Sequence, residues 1–157
     1  MQYSDNYYMA LALEEAKKAE KSDEVPVGAV IADGNGEIVS AAFNTVEKDG
    51  SCLMHAEINA ILAAQKKLEN WRLDGCVLYV TLEPCIMCCG AILLSRISKV
   101  VYGTVDPKGG SSDLILGGKI ETVHGIMEEE SSILLKSFFK SKRLNIRYGK
   151  ATKQSKD

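Results

Sequence analysis

Hydrophobic and polar positions follow helical spacing in four segments of the chain. The pattern predicts helices over residues 5–20, 57–68, 86–94 and 128–142. In three of them the apolar side chains repeat on one face, which predicts the buried side: Tyr8, Leu11, Ala12, Ala16 and Ala19; Ile58, Ile61, Leu62 and Leu68; and Leu134, Leu135, Phe138 and Phe139. Ser4 or Asp5 is suited to cap the first helix, and Pro84 to open the third within its first turn.

Short runs with extended spacing lie between these helices. The pattern predicts strands over residues 27–32, 37–43, 76–82, 99–102 and 119–123. The Asp-Gly-Asn-Gly sequence at 33–36 favours a hairpin turn, so the first two strands should run antiparallel. The third run is apolar and β-branched almost throughout, as expected of a strand in a parallel sheet covered on both faces. The order of elements predicts an α/β protein with a mixed five-stranded sheet and helices on its faces.

The composition indicates one globular domain. The chain has 157 residues, of which 46% are hydrophobic, enough to bury a sizeable core. No run approaches the ~18 uninterrupted apolar residues of a membrane span, and the amino terminus lacks a basic region followed by an apolar one, as a secretion signal would have. We expect a cytoplasmic protein that does not enter a membrane.

Positive charge is concentrated at the carboxyl end. Residues 1–135 carry 11 Lys and Arg against 20 Asp and Glu, whereas residues 136–157 carry 8 against 1. Such an asymmetry occurs in arms that bind nucleic acid, and it also occurs in solvated tails whose cations favour a helix carboxyl end. We therefore divide the chain into a domain at 1–143 and a basic tail at 144–157.

The cysteines suggest a metal site. Three of the five lie within Cys85-Ile86-Met87-Cys88-Cys89, a spacing that does not suit a disulfide framework in a chain without an export signal. Cys85 and Cys88 would lie on one face at the start of a helix, where the helix dipole stabilises the thiolates that bind zinc. Cys85 with Cys89 is an alternative pair, although Cys89 is offset from Cys88 by about 100° and should face the core.

His55 and Glu57 complete a candidate zinc centre. His55 would be the third ligand, leaving the fourth tetrahedral position for water, as in catalytic zinc sites. Two positions along a helix differ by about 200°, so His55 must lie at or before the helix cap if both side chains are to face one point. Glu57 could then act as the general acid and base without binding the metal.

Each half of this pattern has a simpler interpretation. A lone Cys-x-x-Cys also occurs in structural metal sites or as two core cysteines, and a lone histidine is most often a core or surface residue. His-x-Glu at 55–57 followed by Pro-Cys-x-x-Cys at 84–88, both at predicted helix starts, is much more specific. It is the signature of the zinc nucleobase deaminases. His124 is interpreted as a surface residue, and Cys52 and Cys76 as small apolar residues.

The chain resembles the bacterial tRNA adenosine deaminases of the cytidine-deaminase-like superfamily from about residue 7 to residue 143. The resemblance rests on these segments: Glu24-Val25-Pro26-Val27-Gly28-Ala29-Val30, Asn44, His55-Ala56-Glu57, Trp71-Arg72-Leu73, Leu78-Tyr79-Val80-Thr81-Leu82-Glu83-Pro84-Cys85, Ser95-Arg96-Ile97, Val101-Tyr102-Gly103, Asp106-Pro107-Lys108-Gly109-Gly110 and Ser137-Phe138-Phe139. It implies a three-layer α/β/α fold with helices on both faces of the sheet, one Zn²⁺ per subunit and a homodimer.

The resemblance also implies roles for individual residues. His55, Cys85 and Cys88 match the family's zinc ligands and Glu57 its proton shuttle. Asn44, Val27 and Ala56 match residues that line the base pocket, and Asp106 lies in the loop that meets the RNA. Two segments depart from the family pattern: residues 51–54 read Ser-Cys-Leu-Met instead of Asp-Pro-Thr-Ala, and the segment between Leu116 and Lys119 is shorter and lacks an Asn-His-Arg stretch.

These observations predict a zinc-dependent aminohydrolase that converts adenosine to inosine at the wobble position of a tRNA anticodon loop. The alternative within enzymes is a deaminase of free nucleobases or nucleosides such as guanine, cytosine or cytidine, which the acidic body would suit. A third possibility is a non-catalytic, zinc-stabilised RNA-binding partner. Glu57 argues against it, because a structural metal has no use for an unligated carboxylate beside an open coordination position.

Overall fold

The computed structural model describes the backbone of residues 2–154 and the side chains of residues 2–146. The helices are α1 (Asp5–Lys21), α2 (Val46–Asp49), α3 (Ala56–Leu68), α4 (Ile86–Leu94) and α5 (Glu128–Gln154), with a π-helical turn at Ser112–Leu116. The strands are β1 (Gly28–Ala32), β2 (Ile38–Phe43), β3 (Val77–Leu82), β4 (Lys99–Thr104) and β5 (Glu121–His124).

The five strands form one mixed sheet in the order β2-β1-β3-β4-β5. β1 runs antiparallel to both β2 and β3, whereas β3, β4 and β5 are parallel. The predicted hairpin, the parallel pairing of the third strand and the five-stranded mixed sheet are all confirmed. Among the described residues, no helix has both the length and the apolar character that crossing a bilayer requires.

Helices cover both faces of the sheet. Tyr8, Met9 and Ala12 of α1 pack on Val30 and Tyr79 on one face, and α5 packs on β4. α3 and α4 cover the other face, where the second core lies. The predicted three-layer α/β/α fold is therefore confirmed.

β1 approaches α1 unusually closely at Gly28. A β-carbon on Gly28 would lie 1.9 Å from the carbonyl oxygen of Ala12, which no side chain could avoid without moving the backbone. Gly28 thus lets the strand that follows Val27 lie directly against α1.

The buried faces of two helices differ from the prediction. α3 turns Ala56, Ala60 and Ala64 towards the sheet, and Leu62 and Leu68 are exposed. The small alanines let α3 approach the strands closely, and of the four predicted apolar residues Ile61 is buried and Ile58 half-buried. In α5, Phe138 is buried and Phe139 is exposed, because neighbouring helical residues are about 100° apart and cannot both face inwards.

Helix boundaries also differ in two places. Pro84 lies before α4 rather than within its first turn, because Cys85 has extended backbone angles and is the cap. The carbonyl of Pro84 instead accepts a hydrogen bond from Ser111. α5 continues past the predicted end at residue 142 and through the 143/144 boundary to Gln154. The short α2 and the π-helical turn were not predicted.

Candidate active site

Two helices begin at the same place in the structure, and each begins with a candidate metal ligand. His55 caps α3 with extended backbone angles (φ −68°, ψ 157°), and Cys85 caps α4 in the same way (φ −75°, ψ 174°). His55 therefore lies outside the helical part of its segment, as the spacing to Glu57 requires. Cys88 lies in the first turn of α4 and is fully buried.

The candidate ligand atoms of His55, Cys85 and Cys88 all lie within 4.8 Å of one another. The Nδ1 atom of His55 is 3.6 Å from Cys85 Sγ and 3.5 Å from Cys88 Sγ. With Zn–S near 2.3 Å and Zn–N near 2.0–2.1 Å, tetrahedral angles would separate sulfur from nitrogen by about 3.6 Å. One nitrogen and two sulfurs at this separation fit zinc, with a fourth position left open.

In the protein alone, the pKa of the Cys85 thiol is lowered and the pKa of the Cys88 thiol is raised. The neighbouring Cys88 and His55 side chains lower the pKa of Cys85 to about 3. The proximity of Cys85, together with burial, raises the pKa of Cys88. The hydrogen bond to Cys85 also raises the pKa of His55, which burial opposes. A cation at this point would favour thiolates at both cysteines.

Glu57 lies beside this group and is only 4% exposed. Burial raises the pKa of its carboxyl group, while the nearby Cys88 side chain acts in the opposite direction. A carboxyl group with a raised pKa takes up a proton more readily than a free carboxyl group, which suits it to accept and return protons during a reaction. Its position suits a proton carrier that does not itself hold the metal.

A cavity of about 770 Å³ opens in front of these residues. Six of the eight predicted site residues line it: Val27, Asn44, His55, Glu57, Cys85 and Asp106. Ala56 and Cys88 do not contribute to its wall, and both are fully buried behind it. The wall also contains none of residues 51–54, so that departure from the family pattern does not lie on the cavity surface.

One wall of the cavity is built around Asn44. Its side-chain nitrogen donates to the carbonyl of Val25 at 3.3 Å, and its oxygen accepts from the backbone of Val46 at 3.1 Å. Glu24 supports the same wall, because its buried carboxylate accepts from the backbone N–H groups of Glu47 and Lys48 at the start of α2. Glu24 was not predicted as a site residue, since its role depends on partners that are distant in the chain.

Asp106 lies on a different wall, in the loop after β4. Its carboxylate accepts from the backbone of Lys108 and Gly109, both at 3.1 Å, which holds the loop in a tight turn. Phe138 and Lys142 of α5 also line the cavity. Lys142 Nζ lies 2.5 Å from a carboxylate oxygen of Asp23, so an ion pair joins α5 to the end of α1 beside the opening.

The remaining cysteines and the second histidine lie apart from this group. Cys89 is fully buried in the core, its thiol faces the carbonyl of Pro84, and burial raises its pKa to about 12. Cys76 is buried and Cys52 exposed. His124 stacks on the ring of Tyr102 with centroids 5.5 Å apart. The exposure of His124 agrees with its interpretation as a surface residue, and Cys76 is buried as a small apolar residue should be, whereas Cys52 is not.

Comparison with known families identifies the site. Residues 2–104 match the sequence model described as "Cytidine and deoxycytidylate deaminase zinc-binding region". The chain is 47% identical over 147 residues to the tRNA-specific adenosine deaminase of Bacillus subtilis (strain 168), covering 88% of this chain and 91% of the relative. The chain belongs to the tRNA-specific adenosine deaminase family.

A second family member, from Aquifex aeolicus (strain VF5), is 44% identical over 148 residues, covering 89% of this chain and 97% of the relative. A solved structure from studies of A-to-I editing by tRNA:A34 deaminases at the wobble position has a TM-score of 0.78 and 38% identity, covering 82% of this chain and 99% of that one. The family resemblance, the aminohydrolase class and the zinc cofactor predicted from the sequence are thereby confirmed.

Other members of the superfamily share the fold. A guanine deaminase from Nitrosomonas europaea superposes with a TM-score of 0.77 at 23% identity, covering 88% of this chain and 85% of that one. The guanine deaminase of Bacillus subtilis has a TM-score of 0.62 at 30% identity, covering 76% and 73%. These enzymes are more distant relatives than the tRNA deaminases.

Proposed function

We propose that this chain is a zinc-dependent hydrolytic deaminase that converts adenosine to inosine at the wobble position of a tRNA anticodon loop. The observation that carries the proposal is a buried, unligated Glu57 beside a His55–Cys85–Cys88 group at the base of one cavity. The tRNA substrate is supported by 37–47% identity to several tRNA-specific adenosine deaminases. Action on tRNA also supports the expected cytoplasmic location.

His55 Nδ1 and the sulfurs of Cys85 and Cys88 would hold one Zn²⁺ per subunit. When bound, zinc supplies Lewis acidity that lowers the pKa of a coordinated water towards ~7. The two helix N-termini at which Cys85 and His55 lie favour the thiolate forms of the cysteines.

Glu57 would carry the protons of the reaction. It accepts a proton from the water that attacks the amino-bearing carbon of adenine, and returns it to the neighbouring ring nitrogen. A second proton from the same water then passes through Glu57 to the amino group, which leaves as ammonia. Water and adenosine are consumed, and inosine and ammonia are formed, so no further reactant is needed.

Val27 and Asn44 would form the base pocket, and Ala56 would support its wall from the buried side. Val27 supplies an apolar surface for the flipped base. Both hydrogen-bonding ends of the Asn44 amide are held by backbone partners, so the side chain is pre-oriented at the wall. Asp106, on the opposite wall, would meet the RNA segment that enters with the base.

A basic surface adjoins the cavity and would contact the RNA backbone. A second cavity of about 730 Å³ shares Val25, Leu82 and Asp106 with the first. Lys108, Lys136 and Arg143 also line it. These cations can neutralise phosphates. We assign the same role to the basic tail at 144–157, whose side chains from residue 147 onwards lie outside the described residues.

A second copy of the chain would cover an apolar face around α4. Ile86 is 65% exposed and Leu94 71% exposed, and they follow one another along the helix with Gly90 between them. The adjoining π-helical turn exposes Leu114. Large exposed apolar side chains grouped in this way are typical of protein interfaces, which supports the homodimer implied by the family.

Ammonia release from a small substrate panel tests the proposal. The panel contains an anticodon stem-loop with adenosine at the wobble position, free adenosine, guanine, cytosine and cytidine, each incubated with the zinc-loaded protein. We expect turnover on the stem-loop and none on the free bases or nucleosides. Turnover on guanine or cytidine with the stem-loop inert would contradict the tRNA proposal and assign the cavity to a small molecule.

A further inference from the structure

Besides Glu57 and Glu24, the cavity wall contains a third buried carboxylate, which has no part in the proposed chemistry. Glu83 directly precedes Pro84 and Cys85, is 8% exposed, and lines the cavity beside the ligand group. Its carboxylate accepts three hydrogen bonds from a loop that is distant in the chain. The donors are the backbone of Asp106 at 3.1 Å, the backbone of Ser112 at 3.2 Å and the hydroxyl of Ser112.

The loop that supplies these donors, residues 105–112, is packed around the carboxylate. A β-carbon on Gly110 would lie only 2.1 Å from a carboxylate oxygen of Glu83. The backbone of Ser111 donates to the carbonyl of Pro84 at 3.0 Å, and Gly110 forms an isolated β-bridge with Cys85. The loop is therefore joined to the segment that carries a candidate metal ligand.

The hydrogen-bond chain continues into the core. The hydroxyl of Tyr102, in β4, lies 3.1 Å from the hydroxyl of Ser112, which in turn donates to Glu83. Tyr102 is buried and stacks on His124. The carboxylate is thus held between a rigid strand on one side and the loop on the other.

Glu83 also determines where Asp106 lies. The backbone N–H of Asp106 donates a hydrogen bond to Glu83, and the carboxylate of Asp106 accepts one from the next turn of the loop. That turn, at residues 107–109, lines the basic second cavity. One buried carboxylate therefore orients a wall of the catalytic cavity and part of the adjoining basic surface.

We propose that Glu83 is a positioning residue for the substrate, which fixes the 105–112 loop against the Cys85 segment and sets the distance between the ligand group and Asp106. The inference rests on the proposed function of the cavity. A carboxylate side chain suits this role because its oxygens accept hydrogen bonds, and all three of its loop partners can donate. Charge-assisted hydrogen bonds are also stronger than neutral ones.

Glu83→Gln is the direct test, because it retains the shape of the side chain. The amide nitrogen of glutamine cannot accept from a backbone N–H, so one loop donor would lose its partner. We expect a kcat/KM for the stem-loop reduced by about 10-fold or more, mainly through KM, with one zinc per chain retained. Hydrogen exchange at the amides of Asp106 and Ser112 should become about 10-fold faster, because their local protection is lost.

Two further variants make the test specific. Glu37→Gln removes the same charge from an exposed position in the β1–β2 hairpin, at the far end of β1 from Val27, and should change neither turnover nor exchange in the loop. Ser112→Ala removes one hydroxyl donor and keeps the carboxylate, so it should raise KM by less than Glu83→Gln does. It remains informative if Glu83→Gln does not fold.

Three results would overturn the inference. The first is unchanged KM and unchanged exchange at Asp106 and Ser112 in Glu83→Gln. The second is loss of zinc from that variant, which would give Glu83 a role in metal binding instead. The third is an unchanged KM and unchanged hydrogen exchange in Ser112→Ala, in the case that Glu83→Gln fails to fold. If the wild-type protein is inactive on the stem-loop, the proposed function fails, and the exchange data still report whether Glu83 holds the loop.

Discussion

Glu57 and Asp106 line the same cavity but differ sharply in environment. Glu57 is buried, and burial raises the pKa of its carboxyl group. Asp106 lies in a loop where its carboxylate is held by backbone N–H groups. A buried carboxyl group is suited to exchanging protons, whereas a hydrogen-bonded carboxylate is suited to holding a loop or a ligand.

Glu57→Ala should separate metal binding from proton transfer. We expect the variant to retain one zinc per chain and to lose about 10²–10⁴-fold in kcat on the stem-loop, because it lacks the proton carrier. Metal analysis and ammonia release on the same preparation measure both quantities. Turnover close to that of the wild type would show that another group moves the protons.

Cys88 and its neighbour Cys89 form a matched pair for testing the ligand group. Both are fully buried, but only Cys88 has its sulfur beside His55 Nδ1. Cys88→Ala should lose the metal, as should His55→Ala, because two protein ligands remain. Cys89→Ala should retain the metal and lose about 1 kcal/mol or more of stability through the cavity it leaves. Metal content and thermal unfolding distinguish these outcomes, and zinc retained by Cys88→Ala would exclude Cys88 as a ligand.

Individual residues show most clearly what can be predicted from the sequence alone. His55, Glu57, Cys85 and Cys88 could be identified because each pair is close in the chain and the chemistry of its spacing is restrictive. Glu83 could not, because its hydrogen-bond partners are distant in the chain. A glutamate before Pro84 gives no local sign that it will be buried against a loop that follows the next strand.

Helices and strands were predicted where a hydrophobic period was long enough to define a face. The central strands and α1 agree with the prediction within one or two residues. The short α2 has four residues and no buried side chain, so it leaves no periodic pattern. The exposed Leu62 shows a further limit of prediction from sequence. Periodicity indicates that a helix forms more reliably than it indicates which face of that helix is buried.

The long α5 combines two functions along its length. Its first half is anchored by buried Leu135 and Phe138, whereas Phe138 and Lys142 line one cavity and Lys136 and Arg143 the other. The helix continues to Gln154. A single rigid element therefore connects the core of the domain to the proposed RNA surface and to the basic tail.

Removal of residues 144–157 tests the basic part of this helix. The anchoring residues lie before the cut, so the domain should remain folded. We expect weaker binding of the stem-loop at low salt. The dependence of log affinity on log salt should also become shallower, by about 0.7 for each phosphate that the shortened protein no longer neutralises. Binding measured at several salt concentrations gives this slope.

Lys66→Gln with Lys67→Gln is the control for charge removal. These residues lie at the end of α3 that is remote from His55, so the substitutions should leave the slope unchanged. If the truncated protein has the same salt dependence and affinity as the wild type, the tail does not contribute to RNA binding.

At the scale of the whole molecule, the exposed apolar face around α4 is the surface that a second copy of the chain would cover. Leu94→Asp should produce a monomer, because a charge at the centre of an apolar interface would be buried without a partner. Sedimentation velocity over a range of concentrations measures the change. Ile133→Asp, at an exposed position of α5, should leave the oligomeric state unchanged. A wild-type protein that sediments as a monomer would contradict the proposed dimer.

The position of the ligand group at two helix caps also has a consequence for folding. His55 and Cys85 are 30 residues apart in the chain, and α3 and β3 lie between them. A metal ion bound by both joins the two ends of this segment in the folded protein, so the free energy of metal binding adds to the stability of the folded state. Metal affinity and the stability of the α3–α4 layer are therefore linked quantities. The cation that the chemistry requires would also stabilise the packing of the two helices that hold it.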